Sequence, residues 1–310
     1  MTENQKKQLT ISIEPYLEQH QLSQSDLATR SGVNAAYIIA IRQGKYTMKV
    51  GSKSVPIKDK WLNRLASTVG LQFEKQYWKT IATPQMKSML SALKDAKDNG
   101  EAAVITGETG CGKTYITDLF AQRNPKDVFV VKAGSSDNLA DLLNKIIRRL
   151  RIGSTTPRSK SGKISAIIRY IQKMNEAGNE PMLIIDEAEY LKLPALCAYK
   201  ELYDTLNTWC AMVLIGTDQL LVNLDRLKKR NKPGIPQLFR RIKYRIRQLP
   251  AIDRRFKDFL TGYEIGLKNW LKNNCDNYGE LHDVLTPALR EADRTGEKLT
   301  EGFVHTILGI

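Results

Sequence analysis

Eight residues, GETGCGKT from Gly107 to Thr114, set the tightest limit on what this 310-residue chain can fold into. They fit G-x-x-x-x-G-K-[ST], in which glycines let backbone N–H groups turn inward around phosphate oxygens, a lysine reaches the β- and γ-phosphates and a hydroxyl ligates Mg²⁺. The apolar run AAVIT precedes the loop and a helical pattern from Lys113 to Ala121 follows it. The loop therefore reads as a strand-to-helix turn whose helix directs its positive end at an anion. The expected nucleotide contacts are Gly107, Glu108, Thr109, Gly110, Cys111, Gly112, Lys113, Thr114 and Tyr115.

Further apolar runs, VFVV, MLII, MVLI and YRIR, alternate with helical patterns as far as Pro250. Short apolar strands interleaved with helices predict βαβ units and a parallel sheet covered on both faces, an α/β class. In PMLIIDEAEYL the apolar run places Asp186 at the strand's C-terminal end, where open α/β sheets bind ligands. Asp186, with Thr114, is the expected Mg²⁺ holder, and Glu187 is the expected general base that orients a water for attack on the γ-phosphate. The strand AMVLIG leads to Thr217, whose hydroxyl is suited to bonding that phosphate or water. ATP is expected rather than GTP: the residues after the strand read Asp186-Glu187-Ala188-Glu189 instead of D-x-x-G, and NKPG at Asn231 lacks the guanine-binding aspartate.

Lys+Arg number 48 against 33 Asp+Glu, a formal charge of +15, which points to a polyanion and first of all to nucleic acid. A cationic run from Arg226 to Arg247 contains no acid, and its LFRRI segment is a candidate source of an arginine that reaches a neighbouring subunit. The four cysteines, Cys111, Cys197, Cys210 and Cys275, form no metal-binding spacing. The polar start MTENQKKQLT and the lack of an apolar run near 18 residues predict a cytoplasmic protein with no membrane span.

Ahead of the α/β region, residues 9–70 carry short helical patterns and VGSKSVP reads as a loop. LSQSDLATRSGVNAAYIIAIRQGK, Leu22 to Lys45, has the helix-turn-helix pattern, with Gly32 at the turn, Leu27, Val33, Ile38 and Ile41 inside, and Trp61 and Leu65 added to the core. Gln24, Asn34, Ala35, Tyr37 and Arg42 form the expected exposed set, with Gln24, Asn34, Tyr37 and Arg42 as candidate DNA contacts. An interaction module without DNA contact fits the same pattern. The expected division is 1–72 helix-turn-helix domain, 73–85 connector, 86–250 core and 251–310 helical lid.

These motifs resemble the AAA+ ATPases, with GETGCGKT as Walker A and MLIIDEAEYL as Walker B. The resemblance implies that Thr217 occupies the sensor 1 position, that Arg241 is the arginine finger and that residues after 250 form a helical lid. The whole chain is similar to the MuB-like target-selection ATPases of transposition. That likeness implies ATP and Mg²⁺ as cofactors, double-stranded DNA bound largely without regard to sequence, a homo-oligomer in filament or ring form, and a DDE transposase as partner. It also makes Arg149, Arg151, Arg158 and Lys160, around the Gly-Ser-Thr-Pro loop, candidate phosphate contacts, with strongly salt-dependent binding. The lid departs from the pattern in reading GELHDV, with His282 where many relatives carry a sensor 2 arginine. A helicase loader and a nucleotide-switched transcription regulator are the alternative readings.

Overall fold

The computed structural model describes residues 1–50, 53–71, 77–153 and 157–310. The chain divides into two units, Met1–Gln76 and Tyr77–Ile310.

The first unit contains α1 (Glu3–Gln19), α2 (Gln24–Ser31), α3 (Ala35–Arg42), the strands β1 (Thr47–Val50) and β2 (Lys53–Pro56), and α4 (Asp59–Thr68). α1 starts at Glu3, ahead of the expected helical region at 9, because Thr2 and Gln5 form a reciprocal capping box. Leu9, Ile13 and Leu17 then recur every fourth residue and are buried. They meet Leu27, Ile38, Ile41, Leu62 and Leu65, all fully buried; each such side chain contributes about 1.5–3 kcal/mol on leaving water. Trp61 packs against this cluster half-buried. The turn between α2 and α3 runs through Gly32 at φ +61°, and a Cβ there would lie 2.9 Å from the Arg64 guanidinium. The expected loop VGSKSVP is corrected. β1 and β2 pair antiparallel, Thr47 opposite Pro56 and Val50 opposite Lys53, while Gly51 and Ser52 lie outside the described residues.

The second unit begins with α5 (Pro84–Asn99), capped by Thr83, whose hydroxyl accepts from the Met86 N–H at 3.1 Å. The helix therefore starts inside the expected connector, of which 73–76 lies outside the described residues. There follow β3 (Ala102–Thr106), α6 (Lys113–Arg123), β4 (Val128–Lys132), α7 (Leu139–Leu150), α8 (Lys160–Glu176) and β5 (Met182–Asp186). Next come α9 (Leu193–Leu206), β6 (Ala211–Gly216), α10 (Asp218–Lys229), α11 (Ile235–Ile242) and β7 (Ile246–Gln248). Three helices close the chain, α12 (Ile265–Asn274), α13 (Tyr278–Thr295) and α14 (Glu301–Leu308).

The five strands form a parallel sheet in the order β4-β5-β6-β3-β7. Alternate residues of each central strand enter opposite clusters. Val104, Leu183, Ile185, Met212 and Leu214 pack against α7, α8 and α9, while Ile105, Ile184, Val213 and Ile215 pack against α5, α6 and the helices after 250. That two-sided burial is why these strands read as continuous apolar runs. The last strand is shifted from the expected YRIR, since Tyr244 is 87% exposed and pairing begins at Ile246. Among the described residues, no helix is long and apolar enough to cross a membrane.

Candidate functional site

β6 lies between β3, which ends in the glycine loop, and β5, which ends in Asp186. The loop is bent by Gly110 at φ +74° and Gly112 at φ +92°, a conformation that strains any side-chain-bearing residue. Gly107 is held close as well: a Cβ there would approach Leu249 at 3.0 Å. Lys113 Nζ donates to the Gly107 and Glu108 carbonyls, each at 2.8 Å, so the ammonium is folded over the cradle it would share with phosphates. Cys111 is 2% exposed, and burial pushes its thiol pKa up, making it a packing residue of the loop. Tyr115 hydrogen-bonds Thr80 at the rim.

The Thr114 hydroxyl donates to Asp186 Oδ2 at 2.9 Å, and Asp186 is only 2% exposed. Two hard oxygen donors side by side at a phosphate loop fit Mg²⁺, which takes one or two protein oxygens and completes its shell with phosphate and water. Among the described residues no cluster of three or more His, Cys, Asp or Glu competes for a metal. Glu187 follows with φ +54°, a left-handed conformation costing about 1–2 kcal/mol for a non-glycine residue. Its N–H donates to Asp186 Oδ1 at 2.9 Å, and its carboxylate lies 2.8 Å from Lys132 Nζ. That hydrogen bond raises the Lys132 pKa. Thr217 follows β6 as the N-cap residue of α10, with no side-chain cap bond.

The segment after the sheet is tied to the loop directly. Glu108 accepts from the Ile252 N–H at 3.2 Å and from Arg254 at 2.9 Å, while the Gly279 N–H donates to the Gly110 carbonyl at 3.2 Å. Asn277 stands where a Cβ on Gly110 would fall, at 2.1 Å. His282 is engaged elsewhere: it bonds Asp283 at 2.9 Å and stands edge-on to Trp78. Sequence reasoning missed the roles of Arg254, Asn277 and Lys132, none of which carries a local signal.

Arg241 forms an ion pair with Asp204 of its own chain, and that bond raises its pKa. The neighbouring Arg240 is exposed.

A groove of about 860 Å³ lies along α7 and the start of α8, lined by Arg148, Arg158, Lys145 and Lys163 together with Asp137 and Asp141. Arg158, Arg148 and Lys163, all from the same basic stretch, line this groove together. Lys160 begins α8, exposed and outside the groove lining, and Arg151 caps α7 at φ +58°. Arg149 is corrected: it turns inward, its Nε is buried with no hydrogen-bond partner among the described residues, and burial lowers its pKa. On the inner side, Asp118 has its pKa raised by burial and then by Asp186. Ser154, Thr155 and Thr156 of the flanking loop lie outside the described residues.

In the first unit Asn34 caps α3, its Oδ1 accepting from the Ala36 N–H at 2.8 Å, and Tyr37 is half-buried against the core. Arg42 is not a free cation. It donates to Gln24 Oε1 at 2.7 Å and pairs with Glu14 at 2.7 Å.

Residues 96–224 match the family model of the AAA domain. The core has the AAA+ P-loop fold. A curated relative, the Mu-like prophage FluMu DNA transposition protein B of Haemophilus influenzae, is 26% identical over 212 residues, covering 68% of this chain and 70% of that protein. Among solved structures, Cdc6p from Pyrobaculum aerophilum superposes with a TM-score of 0.54 at 16% identity, over 75% of this chain and 67% of that one. The ORC1 protein of Aeropyrum pernix, solved in complex with DNA, gives 0.54 at 13% identity, over 76% and 66%. At such identities the structural likeness speaks for the AAA+ fold alone. Together the AAA domain and the transposition relative support nucleotide hydrolysis in general terms.

Proposed function

We propose that this protein is an ATP-dependent, largely sequence-independent DNA-binding ATPase that assembles on target DNA and delivers it to a transposase. The observation that carries the ATPase reading is the Thr114–Asp186 contact at 2.9 Å beside the Lys113 ammonium. The transposition reading rests on the likeness to transposition protein B. Mg²⁺, when bound, would neutralise charge on the β- and γ-phosphates. Lys113 would leave the loop carbonyls to bind phosphate oxygens, Thr114 and Asp186 would hold the metal, and Thr217 would orient the γ-phosphate or the water. Glu187 accepts the water's proton once its carboxylate is released from Lys132. Arg241 serves the neighbouring subunit only after exchanging Asp204 for phosphate, so activity follows assembly. Arg148 and Arg158 bind DNA phosphates from the groove.

Electron microscopy of the protein with duplex DNA and a non-hydrolysable ATP analogue tests this reading. Ordered filaments or rings on DNA are expected, and their absence at saturating nucleotide would overturn it. Glu187→Gln should retain ATP binding and give long-lived assemblies; undiminished turnover would remove Glu187 from its role.

A further inference from the structure

α1 carries the exposed Glu3, Glu14 and Glu18 alongside Lys6, which pairs with Glu3, and an exposed Lys7, and Glu14 together with Gln24 holds the guanidinium of Arg42. The remaining exposed positions from the cap of α3 through its body, Asn34, Ala35, Ala36 and Ile39, are uncharged. Arg42, the one cation of α3, is thus already engaged by its own unit. A run of cations lies in the segment that follows it: Lys45, Lys49, Lys58 and Lys60 are exposed, and Asp59, the one acid between them, is paired with the amine of Met1.

The hairpin is anchored so that it can present this charge. The Ile57 N–H donates to the Tyr46 carbonyl at 2.8 Å, the Tyr46 hydroxyl meets that of Thr10 at 2.8 Å, and Met48 packs half-buried on the core. Alternation along β1 then turns Thr47 and Lys49 to the opposite face, with Lys49 across from an exposed Ser54. Among the described residues, Lys45 donates to the neutral Gln43 at 3.2 Å and has no ion pair with an acid.

We propose that the β1–β2 hairpin is a grip for the DNA backbone, in which Lys45 and Lys49 contact phosphates of a duplex lying along α3, so that this module adds affinity without reading sequence. The inference rests on the reading that DNA is the partner. It relocates the contact from Arg42 to the hairpin.

The test is fluorescence anisotropy of the full chain on random-sequence duplexes across a salt series, without nucleotide and with a non-hydrolysable ATP analogue. Each phosphate contact contributes about 0.9 to the slope of log affinity against log salt. Lys45→Ala with Lys49→Ala should lower the slope by about 1.8, so that affinity falls about 12-fold less between 50 and 200 mM salt than in the wild type. Lys45→Arg with Lys49→Arg should restore it, and Arg42→Ala should leave it unchanged. A wild-type slope in the alanine pair, with thermal unfolding intact, overturns the inference, as does an equal loss in Arg42→Ala. If Arg148→Ala with Arg158→Ala then lowers the slope, the proposed function survives that failure. Absence of DNA binding by the wild type overturns both.

Discussion

Lys132→Ala separates a restraint on Glu187 from a contribution to the chemistry. The two side chains meet at 2.8 Å with 60% and 34% exposure, so water reaches the pair from the lysine side. An ion pair this open contributes about 0.2–1 kcal/mol. If that contact holds the carboxylate away from its water, removing the ammonium should raise kcat in the absence of DNA by about 1.4- to 5-fold, the same energy expressed as a population ratio. The ATP KM should not move, because Lys132 lies outside the phosphate loop. The gain should shrink as ionic strength rises, since exposed charges about 10 Å apart or more are already screened at 0.1 M and close open pairs weaken further. Phosphate release measured at low and high salt, with matched circular dichroism, is the assay. A tenfold loss of kcat would refute the reasoning by showing that Lys132 acts in the reaction. A gain undiminished at high salt would refute it as well.

Two stability predictions follow from the same unit. The Lys145 ammonium, bound at 2.5 Å, holds the Asp137 carboxyl below its usual pKa, with help from the Gly134 N–H at 2.7 Å. A depressed carboxyl contributes stability above its unfolded pKa of about 3.9 and loses it as pH falls through the lower folded value. Asp137→Asn should therefore melt below the wild type at pH 7 and converge with it in strong acid; parallel curves throughout would contradict the pairing. Tyr199, 1% exposed, donates its hydroxyl to the Met212 carbonyl at 2.7 Å beneath the sheet. Tyr199→Phe should cost about 0.5–1.5 kcal/mol, a drop of about 1–6 °C in Tm for a unit of this size, and an unchanged Tm by calorimetry would show the bond contributes nothing.

Much of the α/β unit is legible because strands buried on both faces need continuous apolar runs and a phosphate loop needs glycine at Gly110 and Gly112. Local chemistry carries no such mark for partners distant in sequence. Lys132 meets Glu187 because the parallel register sets Lys132 beside Asp186, and Arg241 on α11 finds Asp204 on α9, with β6 and α10 between them in the chain. Arg148 and Arg149 are adjacent in sequence, yet about 100° apart around α7, so one faces the groove and the other the interior. The hairpin after α3 escaped because each strand is four residues long, too short to establish alternation.

Isothermal titration of ATP with and without Mg²⁺ bears most directly on the grip between the glycine loop and the acidic strand end. One site per chain is expected, tightened by Mg²⁺, with the metal's effect lost in Asp186→Asn and binding lost in Lys113→Ala. Binding of ATP that ignores both Mg²⁺ and these substitutions, or no binding at all, would contradict it.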